Sequence, residues 1–315
     1  MTLAYLARRT ITAAITLALA SLGVFAALLV LPGDPVQLIL GLREDPELHA
    51  QLSRQLGLDK PPAERYLAWV AGAARGDLGQ SITYRQPVAA LIGERLPVTL
   101  PLLLGSSLLA LLVALPAGAL AASHRGSRVD SAVVAASQGG LAIPSFWLGL
   151  LLVLLFAVRL QWLPATGFTP WSEDPARAAR SLVLPVLTLG LGQAATLVRA
   201  VRAGILDVLG QDYVRTARSK GVGGFGLIRR HVLRNALASV LTLLGVQVGQ
   251  LLAGAVIIEA VFALPGLGTL ALAAVQQSDF PLVQGVVLLI ALAIVGLNLL
   301  VDLAYGWLDP RVSYD

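Results

Sequence analysis

The chain has 315 residues and a formal net charge of +5, with 57% hydrophobic and only 13% charged residues. Soluble domains carry roughly 25% charged residues, so too few are present here to clothe a water-facing surface, which excludes a soluble enzyme and a disordered chain alike. There is no cysteine, hence no disulfide framework, thiolate nucleophile or cysteine-held metal, and the histidines at 49, 124 and 231 are too far apart for a local zinc motif.

The first uncharged run, residues 10–33, follows Arg8 and Arg9. It is longer than a signal-peptide core of about 7–15 residues. It also ends Leu31-Pro32-Gly33-Asp34-Pro35 rather than in a small-residue cleavage site, so it reads as an uncleaved span, 10–31, with a cleaved signal as the alternative. In residues 32–95, Leu48, Leu52 and Leu56, then Tyr66, Leu67, Trp69 and Val70, recur at helical spacing on either side of Gly57 and Pro61-Pro62. A turn-like RGDLGQS at 75–81 and a short amphipathic piece from Arg85 to Arg95 complete a small helical cap outside the membrane.

Further uncharged runs lie at 96–123, 131–158, 181–198, 235–258, 260–278 and 280–301. A spanning helix needs about 20 mostly apolar residues. The run 260–278 is interrupted by Pro265, Gly266 and Gly268 and ends Gln276-Gln277-Ser278, so it reads as a short re-entrant or surface element. The prediction is an all-α polytopic membrane protein with six spans: 10–31, 96–123, 131–158, 181–202, 237–259 and 281–303. Between them lie outer segments 32–95, 159–180 and 260–280 and inner loops 124–130 and 203–236. With termini 1–9 and 304–315 inside, the inner side holds thirteen Arg and Lys, against three (Arg159, Arg177, Arg180) in the short outer loops. The positive-inside rule therefore puts both termini in the cytoplasm, and this charge bias, with no basic stripe among exposed aromatics, does not point to nucleic acid.

Internal prolines at 97, 101, 116, 144 and 185, with many small residues, suit closely packed helices that kink. Polar residues within the spans are few: Gln138, Gln193, Gln247, Gln250, Glu259, Asn298 and Asp302. Both carboxylates fall near span ends rather than at the midplane, which argues against ion-coupled transport. Gln138, Gln193, Gln247, Gln250 and Glu259 are candidates for a translocation path; for each glutamine, interhelical hydrogen bonding is an equal alternative.

The inner loop is the most informative stretch, because residues 199–236 hold eight of the 23 basic residues. Asp212 suits an N-cap, Tyr213 to Lys220 make about two helical turns, Lys220 suits the C-terminal end of the dipole and Gly221 suits the C′ position. Val214 and Ala217 form one apolar edge. So short a helix is marginal alone. The expectation is that it docks on a cytoplasmic partner, the alternative being a solvated loop.

The segment Asp212-Tyr213-Val214-Arg215-Thr216-Ala217-Arg218-Ser219-Lys220-Gly221, followed by Arg230-His231-Val232-Leu233-Arg234-Asn235-Ala236-Leu237, resembles the EAA loop of inner-membrane permeases of ABC importers. The likeness is to the dipeptide/oligopeptide/nickel branch of the binding-protein-dependent transport systems. The generic Glu-Ala-Ala is Arg215-Thr216-Ala217 here, the Gly is Gly221, and the generic Ile and Pro are absent from His231-Val232-Leu233-Arg234. Leu56-Gly57-Leu58-Asp59-Lys60-Pro61, Gly76-Asp77-Leu78-Gly79-Gln80-Ser81, Ile143-Pro144-Ser145-Phe146-Trp147, Pro265-Gly266-Leu267-Gly268 and Leu308-Asp309-Pro310-Arg311 extend the resemblance over nearly the whole chain.

The resemblance implies a type I importer permease, not itself an enzyme, with Asp212, Tyr213, Arg215, Thr216, Ala217, Arg218, Lys220 and Gly221 forming the coupling helix. It implies a second, related permease subunit, two nucleotide-binding ATPase subunits and an extracytoplasmic solute-binding protein as partners. The chain has no GxxxxGK[ST] loop, so ATP and Mg are expected to be used by the partners and no cofactor by this chain. Di- or oligopeptide is the expected cargo, with nickel, glutathione or oligosaccharide as alternatives. A secondary transporter or an intramembrane enzyme would need midplane carboxylates or a nucleophile and base in the spans.

Overall fold

The computed structural model describes residues 3–30, 36, 40, 46–55, 58–219 and 233–308. Among the described residues the chain is helical, with one isolated bridge between Gln80 and Pro87. Among the described residues four helices are long and apolar enough to cross a membrane, and a bent helix pair makes a fifth candidate.

Helix α1 (Leu3–Val30) is apolar on most sides. Its Thr12 and Thr16 hydroxyls donate to the carbonyls of Arg8 and Thr12, each at 2.9 Å, so neither needs water. Two short helices follow, α2 (Pro46–Gln55) and α3 (Pro62–Ala73), the latter opened by Pro62 in its first turn. The turn after α3 needs glycine twice, since Gly76 and Gly79 have φ of 85° and 83°.

The amphipathic piece predicted before the second span is not separate. Helix α4 runs unbroken from Val88 to Ser123, with Pro97, Pro101 and Pro116 inside it. Pro101 has no N–H to give the carbonyl of Pro97, four residues earlier. The Trp171 indole N–H donates to that carbonyl instead, at 2.7 Å. Trp171→Phe keeps the ring and removes the donor; it is expected to cost about 1 kcal/mol, read as a lower thermal midpoint in detergent.

The run predicted as a single span, 131–158, is two helices, α5 (Arg128–Ala142) and α6 (Ser145–Leu152, continued as π-helix over Val153–Arg159), meeting at 97°. Ile143, held before a proline, takes ψ 119°, and Pro144 starts the next helix. Helix α7 (Pro175–Leu209) begins at an Asp174 cap that accepts from the N–H groups of Ala176 and Arg177, both at 3.0 Å. It continues past the predicted boundary at 202 because Val201, Ile205 and Val208 extend its buried stripe. Helices α8 (Asp212–Ser219), α9 (Leu233–Val261), α10 (Leu267–Gln276) and α11 (Phe280–Leu308) complete the fold.

Lipid is as apolar as leucine, so close packing rather than the hydrophobic effect must hold these helices together. The α4–α7 seam achieves it with a buried small residue every fourth position: Ser106, Ala110, Ala114, Gly118 and Ala122. The two helices run parallel, since Gly105 lies against Val186 and Gly118 against Val201. A Cβ on Gly118 would sit 2.7 Å from the Val201 side chain and 2.9 Å from the Val198 carbonyl. Gly118→Ala is therefore expected to cost about 1–3 kcal/mol and lower the thermal midpoint.

Helices α5 and α6 pack antiparallel to α7, through Gly140 on Ala195 and Gly149 on Thr188. Helix α9 is antiparallel to α7 through Gly254 on Leu189, and to α11 through Gly245 on Asn298 and Gly249 on Ile294. Helix α1 packs chiefly on α11 and α3. The turn 124–127 and helix α8 thus share one end of the bundle, and the segments 74–87, 160–174 and 262–280 share the other.

Candidate functional site

At the first end, α7 closes with a turn in which the Gly210 and Gln211 N–H groups donate to the carbonyls of Asp207 and Val208. Helix α8 then begins with Asp212 itself, one position inside the cap predicted for it, where an acidic side chain still favours the dipole. Val214 is fully buried in the cluster formed by Ala110, Ala114, Leu197, Val201, Ile205 and Val208. The apolar edge that the sequence reading gives to a partner is thus in part this chain's own anchor. Tyr213 and Thr216 are exposed on α8, and the Thr216 hydroxyl donates to the Asp212 carbonyl at 3.0 Å. Arg215, Ala217 and Arg218 lie on the same helix, while Lys220 and Gly221 fall outside the described residues.

Beside α8, Arg202 of α7 makes a two-pronged ion pair with Asp130 of α5, Nε to Oδ1 at 2.6 Å and Nη2 to Oδ2 at 2.8 Å. The Gly126 N–H also donates to Asp130, at 3.0 Å. The inner turn, α5 and α7 are therefore tied together about three turns before α8. No local motif announces this pair, whose members stand 72 residues apart.

At the opposite end, Glu259 is fully buried near the end of α9. Its Oε1 accepts from the Thr99 hydroxyl at 2.6 Å, and its Oε2 accepts from the N–H groups of Gly268 and Thr269 at 2.7 and 3.1 Å. Thr99 accepts from the Leu267 N–H at 2.8 Å. Two side chains thus take three first-turn donors of α10, groups that every helix leaves unpaired. A Cβ on Gly266 would lie 2.2 Å from the Glu259 carboxyl carbon, and one on Gly268 would lie 2.6 Å from Val256 Cα. Asp279 does similar work next door, accepting from the Ser81 hydroxyl and from the N–H groups of Ile82, Thr83 and Leu282.

The residues considered for a path separate into three places. Gln193 of α7 and Gln247 and Gln250 of α9 come one to two turns from the Leu189–Gly254 contact, on facing helices. Among the described residues the buried Oε1 atoms of Gln193 and Gln247 have no hydrogen-bond partner. Gln138 is exposed on α5. Glu259 lies nine residues beyond Gln250, about 14 Å along the helix, and both of its oxygens are engaged within the chain.

Residues 2–103 match the N-terminal segment of binding-protein-dependent transport system membrane components. Residues 114–314 match the binding-protein-dependent transport system inner membrane component itself. The chain belongs to this family of inner membrane permease components. Among similar proteins, one of Brucella abortus named provisionally as a peptide transport system permease is 43% identical, over 92% of this chain and 93% of its own length. The di/tripeptide transport system permease protein DppB of Pseudomonas aeruginosa is 41% identical, and the dipeptide transport system permease protein DppB of Escherichia coli is 40% identical, each over the same shares. Membership of the inner membrane permease family, with several helices able to span, makes this a multi-pass membrane transport component rather than an enzyme.

Proposed function

We propose that the chain is the permease subunit of an ATP-driven importer of di- or oligopeptides, forming half of the translocation pathway. The observation that carries this reading is α8, a short charged helix pinned by Val214 to the α4–α7 seam at the end of the bundle that also carries Arg125, Arg128, Arg199 and Arg202. Family membership and the names of the similar proteins support a peptide cargo.

In this reading the chain crosses the membrane six times, at 10–31, 96–123, 131–158, 181–202, 237–259 and 281–303, with both termini cytoplasmic. The bent pair α5–α6 serves as one crossing. A homologous permease subunit completes the pathway, an extracytoplasmic binding protein delivers solute beside the Glu259 and Asp279 end, and two cytoplasmic ATPase subunits receive α8. ATP and Mg stay with those subunits, and Asp212, Tyr213, Arg215, Thr216, Ala217, Arg218, Lys220 and Gly221 form the contact. Closure of the ATPases would push on α8, and Val214 would pass the displacement into α7 and, through the cluster it shares, to α4. Gln193, Gln247 and Gln250 offer amides to a peptide backbone from facing helices.

The test is uptake of a radiolabelled dipeptide by cells that depend on this chain and its co-encoded partners. Saturable uptake that ends when this chain is deleted supports the reading. Dipeptide uptake unchanged by deletion, with nickel or oligosaccharide uptake lost instead, would keep the importer and discard the peptide.

A further inference from the structure

At the Glu259 and Asp279 end, but outside the α4–α7–α9 core, a cavity of about 260 Å³ opens between α1, α3 and the start of α11. Its wall includes Phe25, Lys60, Arg65, Trp69, Phe280 and Gln284. Three observations point to a ligand. First, Lys60 and Arg65 have no carboxylate within ion-pair distance among the described residues, and the Arg65 guanidinium lies instead 5.9 Å over the Phe25 ring. Second, the Trp69 indole N–H is buried without an acceptor among the described residues, which is costly unless something else supplies one. Third, the rest of the wall is mostly apolar, with the rings of Phe25, Trp69 and Phe280 among Leu58, Ala68, Ile82 and Pro281.

Two cations and one idle N–H donor call for an anion with several acceptor oxygens. The apolar wall, and the exposed Leu19, Leu22 and Leu29 along α1, call for a long apolar portion attached to that anion. Helix α1 packs chiefly on α11 and α3, and no residue of α4, α7 or α9 lines the cavity, which sets it apart from the helices that would carry solute. Tyrosine and tryptophan are also the side chains that settle at the headgroup level.

We propose that this cavity binds an anionic phospholipid. Its phosphate is held by Lys60, Arg65 and the Trp69 N–H, and its acyl chains run along the exposed face of α1. Binding of this kind fastens the loosely packed α1 and the outer helix α3 to α11. The proposal rests on the chain being membrane-embedded with this end at the outer interface, and not on the peptide cargo.

The experiment is to purify the chain with its partner subunits in mild detergent, extract the retained lipid and quantify phosphatidylglycerol and phosphatidylethanolamine per chain by mass spectrometry. The variants are the double substitution K60Q/R65Q and the single substitutions Trp69→Phe and Gln284→Leu. Wild type is expected to retain phosphatidylglycerol selectively. The double variant should retain about tenfold less or lower still, Trp69→Phe should show a smaller loss, and phosphatidylethanolamine should not change.

Added phosphatidylglycerol in nanodiscs should raise the thermal midpoint of wild type and not of the double variant. If the double variant fails to fold, Trp69→Phe carries the test, with Gln284→Leu, outside the phosphate contacts, expected to retain phosphatidylglycerol as wild type does. Equal retention of the two lipids by wild type, or unchanged phosphatidylglycerol in every folded variant, would overturn the proposal. So would displacement of the bound lipid by a dipeptide, which would make the cavity a solute site. Co-purification of an ATPase in the same sample reports separately on the importer assignment.

Discussion

Glu259→Leu is expected to lower stability by about 3–5 kcal/mol, enough to remove most folded chain from the membrane fraction. The side chain is fully buried and accepts three hydrogen bonds, from the Thr99 hydroxyl and the N–H groups of Gly268 and Thr269. Leucine fills similar space but leaves those donors without acceptors in a site closed to water. Glu259→Gln retains one acceptor oxygen and the shape, so its cost should be smaller, about 1–3 kcal/mol. Gly266→Ala should resemble Glu259→Leu, because the added Cβ would occupy the carboxylate's place, 2.2 Å from its carbon. Thermal melts in detergent and limited proteolysis of the 262–280 segment would read all three. Equal stability of Glu259→Leu and wild type would contradict the role given to the carboxylate.

Val214→Asp is expected to abolish peptide uptake while leaving the bundle folded and the ATPase subunits bound. Val214 is the point at which α8 enters the cluster of Ala110, Ala114, Leu197, Val201, Ile205 and Val208. A carboxylate there would meet no described partner, and burying an unpaired charge is far costlier than letting a two-turn helix swing away. The helix would keep its exposed Asp212, Tyr213 and Thr216 for the ATPase and lose its hold on the buried cluster, so hydrolysis would continue without transport. Val214→Ala is the graded form, removing two methyl groups at a cost of about 1–3 kcal/mol to the docked state. ATP hydrolysis and dipeptide uptake measured on one proteoliposome sample separate loss of coupling from loss of assembly. Full uptake by Val214→Asp would remove Val214 from the route.

Much of the architecture was legible in the sequence because charge spacing and apolar run length act locally. The helices at 3–30, 88–123, 175–209 and 280–308 fall on the uncharged runs, and the interruption by Pro265 and Gly266 marks the short helix α10. What failed locally were boundaries that tertiary packing moves. Residues 88–95 join α4 because Val88, Leu91 and Ile92 are buried with Leu267, Leu282 and Val286, which carries the helix through Pro97, and α7 continues to Leu209 because its buried stripe does. The break at Ile143-Pro144 was readable in principle, since residues before proline leave the helical region, but an uninterrupted apolar run concealed it.

The site was legible as a segment and not as a set of contacts. Residues 212–219 form the helix expected of them, yet the sequence could not reveal that Val214 is buried in the cluster that α4 and α7 share. Glu259 was noticed as a rare intramembrane carboxylate. Its work with Thr99, 160 residues away, depends on two helices crossing. The Asp130–Arg202 pair is of the same kind. Long-range polar pairs carry no spacing rule, so a single sequence marks the participants only as unusual.

The most direct test of the central claim is co-purification of the chain, expressed with its co-encoded partners, followed by assay of ATP hydrolysis. The account predicts that an ATPase accompanies the chain, that binding protein loaded with dipeptide raises hydrolysis, and that alanine at Asp212, Arg215 and Lys220 together releases the ATPase. A stable, folded chain that carries no ATPase under any condition would contradict it.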